Sequence, residues 1–319
     1  MRRSLLPLLH CPKCHTGNLQ LQVHQEDTQE VRTGALHCKA CGQSYPIVDG
    51  VAELLASLDP DTQHERDARR TRVRDWDIER RRPFVEDVPG SPWVWPSFAA
   101  NVVQGMAQVP LKGAHVLDLG PGTCWSTRML CERGAHAVAL DISTEMLRDG
   151  EAQFADAVFF DRIAATMQAI PFLDRTFDVV FASASVHHAS DLQQAFQEIA
   201  RVLRPGGALV LVNEPVRGLL NKGSNFGCED KARGMNEHIY RLQDYLAAAR
   251  RAGLAPKVLF PAALDGQLLG QIPAPPGWRI QLAQRVWRGL PKSLRHLSLI
   301  PAHVFIGLTL ILVGRKVTR

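Results

Sequence analysis

The run Val116-Leu117-Asp118-Leu119-Gly120-Pro121-Gly122-Thr123-Cys124 decides the fold. An apolar strand runs into a Gly-x-Gly turn, and a helix follows. Glycine lets the backbone turn sharply and approach a ligand closely. The helix that follows offers free N–H groups at its start. Twenty-one residues beyond Gly120, the run Ala137-Val138-Ala139-Leu140-Asp141 ends a second strand on a carboxylate. A carboxylate there is placed to accept both hydroxyls of a ribose. Together these residues predict a site for an adenosine-like cofactor. A dinucleotide turn would carry a third glycine where Trp125 stands. Asp118 on the strand tip would repel a pyrophosphate and suits the amino group of an amino acid.

Outward from that stretch, strands and helices alternate. Strands are predicted at 115–120, 136–141, 157–160, 177–182 and 207–212, then near Lys257 to Phe260 and from Val304 to Val313. Helices are predicted near 124–133, 144–152, 190–203 and 241–252. This alternation predicts an α/β fold, a doubly wound, mostly parallel sheet of seven strands that is Rossmann-like. The last run is too short for a membrane span, which needs about 20 apolar residues. Pro301 and His303 interrupt its upstream extension. An apolar strand covered on both faces accounts for it better.

Residues 1–56 form a separate pattern. Cys11 and Cys14, then Cys38 and Cys41, are two Cys-x-x-Cys knuckles. Two knuckles close a tetrahedral four-thiolate Zn²⁺ site with no open position, so the ion is structural and cannot activate water. His10, His15 and His37 flank the cysteines and are read as polar neighbours. Cys124, Cys131 and Cys228 are scattered, which excludes a disulfide framework and points to a reducing, cytoplasmic setting. The apolar run at Leu5 to Leu9 is too short for a secretory leader and contains Pro7. Residues 57–92 read as a charged helical connector. Glu65/Arg69 and Asp77/Arg81 at i,i+4 support a solvated helix, with Trp76 as an anchor, and Pro83, Pro89 and Pro92 break it. Trp93, Trp95 and Phe98 open the remaining domain, 93–319.

The first motif resembles that of the class I S-adenosylmethionine-dependent methyltransferases, Asp/Glu-x-Gly-x-Gly-x-Gly, with Cys124 at the last glycine. Later pieces extend the likeness over about residues 93–319. Ile170-Pro171-Phe172 leads into the fourth strand, Leu203-Arg204-Pro205-Gly206-Gly207 into the fifth, and Gly314-Arg315-Lys316 ends the last. The cysteine segment, with its Tyr45-Pro46-Ile47-Val48-Asp49-Gly50 tail, resembles the small zinc-ribbon proteins that activate RNA and protein methyltransferases. The resemblance implies S-adenosylmethionine as cofactor. Asp118, Gly120, Pro121 and Gly122 would hold its methionine end, Asp141 its ribose and Ile142 its adenine. The family's adenine-binding acid is missing; Thr166 and Met167 stand there, with Asp161 upstream as a substitute acceptor. Ser183 would line the methyl region. His188 is the first candidate general base, followed by Glu214, His238 and Tyr240.

The +5 net charge is uneven. No acid follows Asp265, and that tail carries eight Lys and Arg residues. Insertions at 215–237 and 262–302 are expected to set substrate choice. In the second, Ile280, Leu282, Val286, Trp287 and Leu290 fall at helical spacing among arginines. The expectation is a cap with its apolar face inward. The alternative is an amphipathic helix on an anionic membrane, leaving the protein peripheral to it. The expected acceptor is a small molecule, sugar or lipid-linked compound, because the closest likeness is to ubiquinone-biosynthesis-type enzymes. RNA is the alternative, since some rRNA guanine methyltransferases also pair a zinc site with this fold. A non-catalytic zinc-ribbon binding module is the third reading.

Overall fold

The computed structural model describes residues 1–17, 19–56, 58–75, 94–154, 158–220, 238–297 and 299–317. The expectations for Trp76, Asp77, Arg81, the breaking prolines, Trp93, Cys228 and most of the 215–237 insertion lie outside the described residues.

The strands that follow the Gly-x-Gly stretch are β5 (His115–Leu119), β6 (His136–Asp141), β7 (Asp161–Ala164), β8 (Phe177–Ser183), β9 (Leu203–Glu214), β10 (Leu254–Leu259) and β11 (Leu310–Lys316). They lie in the order β7-β6-β5-β8-β9-β11-β10, parallel except for β11, which runs antiparallel to both neighbours. The chain leaves β5 toward β6 on one side and reaches β8 on the other. That reversal opens a crevice beyond the carboxyl ends of β5 and β8.

The seven expected strands are present, but the sheet does not stop at seven. The cysteine segment folds as β1 (Leu19–Glu26), β2 (Val31–Cys38), β3 (Ser44–Val48) and β4 (Val51–Glu53), an antiparallel meander. Asp49 and Gly50, both at positive φ, make the two-residue turn between β3 and β4. β4 then pairs in parallel with β7, Val51 opposite Arg162 and Glu53 opposite Ala164. One sheet of eleven strands results. Its core is also continuous: Leu9, Leu36, Tyr45 and Ile47 belong to the same buried cluster as Ile170, Phe172 and Phe177.

The third strand lies at 161–164 rather than 157–160. Its charged start, Asp161-Arg162, hides it from a hydrophobicity reading. Both side chains are buried because the ribbon supplies their partners. Arg162 Nη2 donates to Glu30 Oε1 at 2.7 Å and to the Asp49 carbonyl at 3.0 Å. Arg2 pairs with Asp161 at 2.8 Å. The final strand also differs. Leu299–Phe305 is helical, Gly307 turns the chain at φ +67°, and the strand begins only at Leu310.

The helices are α1 (Pro60–Asp75), α2 (Val94–Met106), α3 (Trp125–Glu132), α4 (Thr144–Asp149), α5 (Leu192–Val202), α6 (Leu242–Arg251), α7 (Ala262–Leu269), α8 (Trp278–Gly289), α9 (Lys292–Leu297) and α10 (Leu299–Phe305). Among the described residues no helix is long and apolar enough to cross a membrane.

Candidate active site

The turn after β5 has three residues in the left-handed region, Gly120 (φ +64°), Gly122 (φ +58°) and Cys124 (φ +63°). A side chain on Gly120 would collide with Ser185, and one on Gly122 would press on Met146. Both glycines therefore keep a cradle open. Cys124 adopts the backbone of the glycine it replaces. Its buried sulfur fits against Gly150, where an added Cβ would lie 2.5 Å from it. The departure from the glycine pattern is accommodated by a second glycine in α4's extension.

Asp118 is fully buried at the tip of β5. Ser126 Oγ and Thr127 Oγ1, from the first turn of α3, each donate to its Oδ2 at 2.7 Å. Oδ1 has no partner among the described residues. Burial pushes the carboxyl up to about 7, against the pull of the two hydroxyls. A buried oxygen with no donor is costly, and an ammonium group would satisfy it. Asp141 accepts from Ser143 N on Oδ1 at 2.9 Å and from Gly122 N on Oδ2 at 3.0 Å. These residues fit an amino-acid nucleoside: an unpaired carboxylate oxygen for its ammonium and a second carboxylate for its ribose.

A cavity of about 40 Å³ lies here, walled by Gly120, Asp141, Ile142, Thr166, Met167, Ser185 and His188. Pro121 lies within the turn and accepts from Cys124 N. Three further wall residues come from α1: Thr62, Glu65 and Arg69. The charge pattern correctly pairs Glu65 with Arg69, at 2.6 Å, but the pair is not solvated. Glu65 is buried, because α1 lies across the cavity. The connector thus forms part of the site, and nothing in its alternating charges distinguishes a covering helix from a surface one. Asp161 does not serve the adenine wall; it faces Arg2 of the ribbon.

The turn after β8 brings His187 and His188 together, rings 4.1 Å apart. His188 reaches the cavity, its Nδ1 3.5 Å from Glu65 Oε1. Glu214 does not reach it. Its buried carboxylate accepts from the backbone N–H groups of Ser185, Val186 and His187 and from His187 Nδ1 at 2.9 Å. Burial pushes this carboxyl up, but the His187 ring and those N–H groups together hold it below the usual carboxylate range. Glu214 therefore staples the turn that presents His188. His238 lines neither cavity described here: its N–H donates to the His187 carbonyl, and its Nε2 is buried without a partner among the described residues. Tyr240 donates to the Ala189 carbonyl. Ser183 Oγ accepts from Asn213 Nδ2 at 3.3 Å and is drawn away from the cofactor cavity.

A second cavity, about 370 Å³, lies on the other side of that turn. Phe98, Asn101, Ala184, Asn213, Leu264, Gln267 and Gly307 to Thr309 line it, with no ionisable side chain among its walls as far as the described residues go. Asn101 Nδ2 donates to Asn213 Oδ1, and Gln267 Nε2 to Ser97 Oγ. Ala184 and Asn213, at φ +49° and +60°, hold left-handed conformations without being glycine. Such strain tends to mark working positions. No sequence signal announced this cavity, since its residues come from five separate segments.

In the ribbon, one sulfur from each of Cys11, Cys14, Cys38 and Cys41 lies within 4.8 Å of every other. The hydroxyls of Tyr45 and Thr16 stand 3.1 Å from Cys11 and Cys14 sulfurs. The flanking histidines stay outside: His10 Nδ1 faces the Cys11 carbonyl and His37 Nε2 faces Gln22. The donor set suits a tetrahedral thiophilic ion.

Comparison with known proteins agrees with this geometry. The Methyltransferase domain family matches residues 117–211, and the Trm112p-like protein family matches residues 2–50. A demethylmenaquinone methyltransferase of Thermobifida fusca is 32% identical over 162 residues, 46% of this chain and 67% of its own length. One from Clavibacter sepedonicus is 35% identical over 111 residues, 35% of this chain and 45% of its own. A malonyl-[acyl-carrier protein] O-methyltransferase of Pseudescherichia vulneris is 38% identical over 98 residues, 31% of this chain and 38% of its own. The chain thus spans less than half the length of these last two. Among solved structures, a complex between the Haloferax volcanii Trm112 methyltransferase activator and a methyltransferase gives a TM-score of 0.50 at 20% identity. That match covers 70% of this chain and 91% of the other, and bears on the fold alone.

Proposed function

The chain belongs to the class I methyltransferases, with a Trm112p-like segment at its start, and from that premise we propose that it transfers a methyl group from S-adenosylmethionine to an uncharged small-molecule or lipid-linked acceptor. One observation carries the reading. Neighbouring residues Ala184 and Ser185 wall two different cavities, the uncharged one and the cofactor one. A single turn thus separates the two places where donor and acceptor would sit. The large cavity offers amides and apolar carbon, so it suits a neutral acceptor better than an anionic one. The relatives named for demethylmenaquinone support a neutral small-molecule acceptor.

Asp118 would hold the cofactor's ammonium, Asp141 its ribose, and Ile142, Thr166 and Met167 its adenine. When bound, the cofactor supplies an electrophilic methyl on a sulfonium, so the chain's task is mainly positioning. His188, a wall of the cofactor cavity, would take the acceptor's proton where the acceptor atom reaches past the turn at Ala184 and Ser185, with Glu65 fixing the ring. Glu214 positions both histidines from beneath. In the ribbon, Cys11, Cys14, Cys38 and Cys41 would hold Zn²⁺ as a structural ion.

The test uses zinc-loaded protein, methyl-labelled S-adenosylmethionine and cell extract, with label counted in lipid, small-molecule, protein and RNA fractions. Label in the lipid or small-molecule fraction supports the proposal. Label in RNA replaces it with the nucleic-acid reading. Cofactor that fails to bind by calorimetry leaves only a binding module. His188→Ala is expected to lower turnover by about 10²-fold or more with cofactor affinity unchanged. Unchanged turnover removes His188 as the base.

A further inference from the structure

Helix α8 meets the expected cap only in part: Ile280 and Trp287 face inward, but Leu282 and Val286 face outward. None of its residues is buried. Its inward side carries Ile280, Ala283, Gln284 and Trp287, and two of its anchoring contacts are polar. Trp287 Nε1 donates to Asp265 Oδ1 and Gln284 Nε2 to the Gln267 carbonyl, both at 2.8 Å. Trp287 also stacks on Phe260. The outward side carries Trp278, Leu282 and Val286 at i, i+4 and i+8, exposed by 69%, 53% and 57%. Leu294 and Leu297 on α9 and Val304, Phe305 and Ile306 on and just beyond α10 are exposed as well. A run of exposed apolar side chains on consecutive helices is more than the scattered single residues an ordinary surface shows.

The charged side chains that α8 itself carries all have one sign, and the acid near it, Asp265, faces the inward Trp287. Arg279 lies over the Trp278 ring at 5.5 Å, Arg285 and Arg288 are exposed beside it, and no acid follows Asp265 in the chain. A second copy of the chain is a poor occupant, because a two-fold contact would set these arginines against themselves. An anionic lipid surface satisfies both features at once. Aliphatic side chains and a tryptophan enter the headgroup layer while arginines meet the phosphates. We propose that α8, α9 and α10 form a docking face for an anionic phospholipid bilayer. Helix α10 leads directly into Gly307, Leu308 and Thr309, which wall the large uncharged cavity. Docking therefore brings that cavity's wall to the lipid surface, where a lipid-soluble acceptor would be concentrated. The docking itself is independent of what is methylated.

The experiment is flotation of the full-length zinc-loaded protein with phosphatidylcholine vesicles, with and without phosphatidylglycerol. The expected result is binding to the mixed vesicles only, weakened by salt. Leu282→Gln combined with Val286→Gln should weaken it by about 10-fold or more, and Arg285→Gln by roughly 5-fold. The thermal midpoint should stay unchanged in all variants, which separates lost docking from lost folding. The proposal is overturned if folded protein does not float with the anionic vesicles at low salt. It is equally overturned if the double variant floats as well as the parent, or if the parent is a dimer in solution that the same substitutions dissociate. Flotation needs no turnover, so failure of the methyl-transfer reading and failure of docking are read separately.

Discussion

The two ends of the molecule treat amphipathic chain in opposite ways. At the ribbon end, β4 extends the sheet, Arg162 and Glu30 bury an ion pair with side chains 0% and 1% exposed, and Leu9 bridges to Phe172. At the helical end, α8 has no buried residue and turns Trp278, Leu282 and Val286 outward. The ribbon end is finished by folding. The helical end presents a surface that folding does not cover. Sequence similarity to a detachable module therefore says little about independence. The ribbon shares its core with the rest of the fold, whereas α8 is held by a few polar bonds, half-buried side chains and one stacked ring.

The largest effect should follow removal of the proposed zinc. Structural zinc contributes on the order of 10 kcal/mol of apparent binding free energy. Chelation should erase hydrogen-exchange protection in β1 to β4, spread to β7 through the shared pairing, and leave α8 as it was. Protection lost only in β1 and β2 would mean the sheet junction survives without the ion. It should also lower cofactor affinity, because His10 N donates to the Pro171 carbonyl and Leu173 N to the Leu8 carbonyl. Those bonds pin the segment that follows Thr166 and Met167.

Breaking the buried pair comes next. Glu30→Ala leaves the buried Arg162 guanidinium with only the Glu151 carboxylate, 3.4 Å away, strips the buried Met1 ammonium of its carboxylate, and should cost about 3–5 kcal/mol in urea unfolding. Glu30→Ala together with Arg162→Met should recover only part of that loss, since an apolar contact replaces the Arg162 pair while the Met1 ammonium still lacks its carboxylate. A single variant as stable as the parent would show that the junction is held by strand pairing alone.

Midway along the sheet, Asp118→Asn should weaken cofactor binding by roughly 10²-fold, the loss of one buried charge-assisted contact. The pH dependence is specific. The folded carboxyl is raised from its ordinary 3.8 to about 7. The cofactor-free protein therefore binds this proton more tightly than the unfolded chain does, and Asp118 lowers stability as pH rises from about 4 to about 7. Cofactor ammonium needs the ionised form, so affinity should fall by about 10-fold per pH unit below 7. Calorimetry in the Asp118→Asn variant should show that slope abolished.

The smallest effect is the sharpest contrast. Leu282→Gln and Val286→Gln should each change stability by no more than about 0.5 kcal/mol, as exposed substitutions do. A loss of several kcal/mol at either position would mean that α8 packs inward after all. The two ends would then no longer differ.

By itself the sequence determined the features whose geometry is local. The Gly120-Pro121-Gly122 turn, the carboxylates at the tips of β5 and β6 and the four-cysteine knuckles depend on spacings of a few residues, and each stands where its pattern predicts. The doubly wound class followed from the alternation of strands and helices, but not the strand order. Only tertiary structure decided the rest. Asp161-Arg162 becomes a strand because its partners lie far away in the chain, Glu30 being 132 residues from Arg162. Glu65 becomes a wall of the cofactor cavity because α1 is laid across it, and Glu214 becomes a staple because the β8 turn folds over it. The outward turn of α8 was also invisible, since a helix's periodicity defines an apolar face but not what that face meets. Local spacing fixes which side chains can act together. Burial and charge pairing between distant segments fix which of them do.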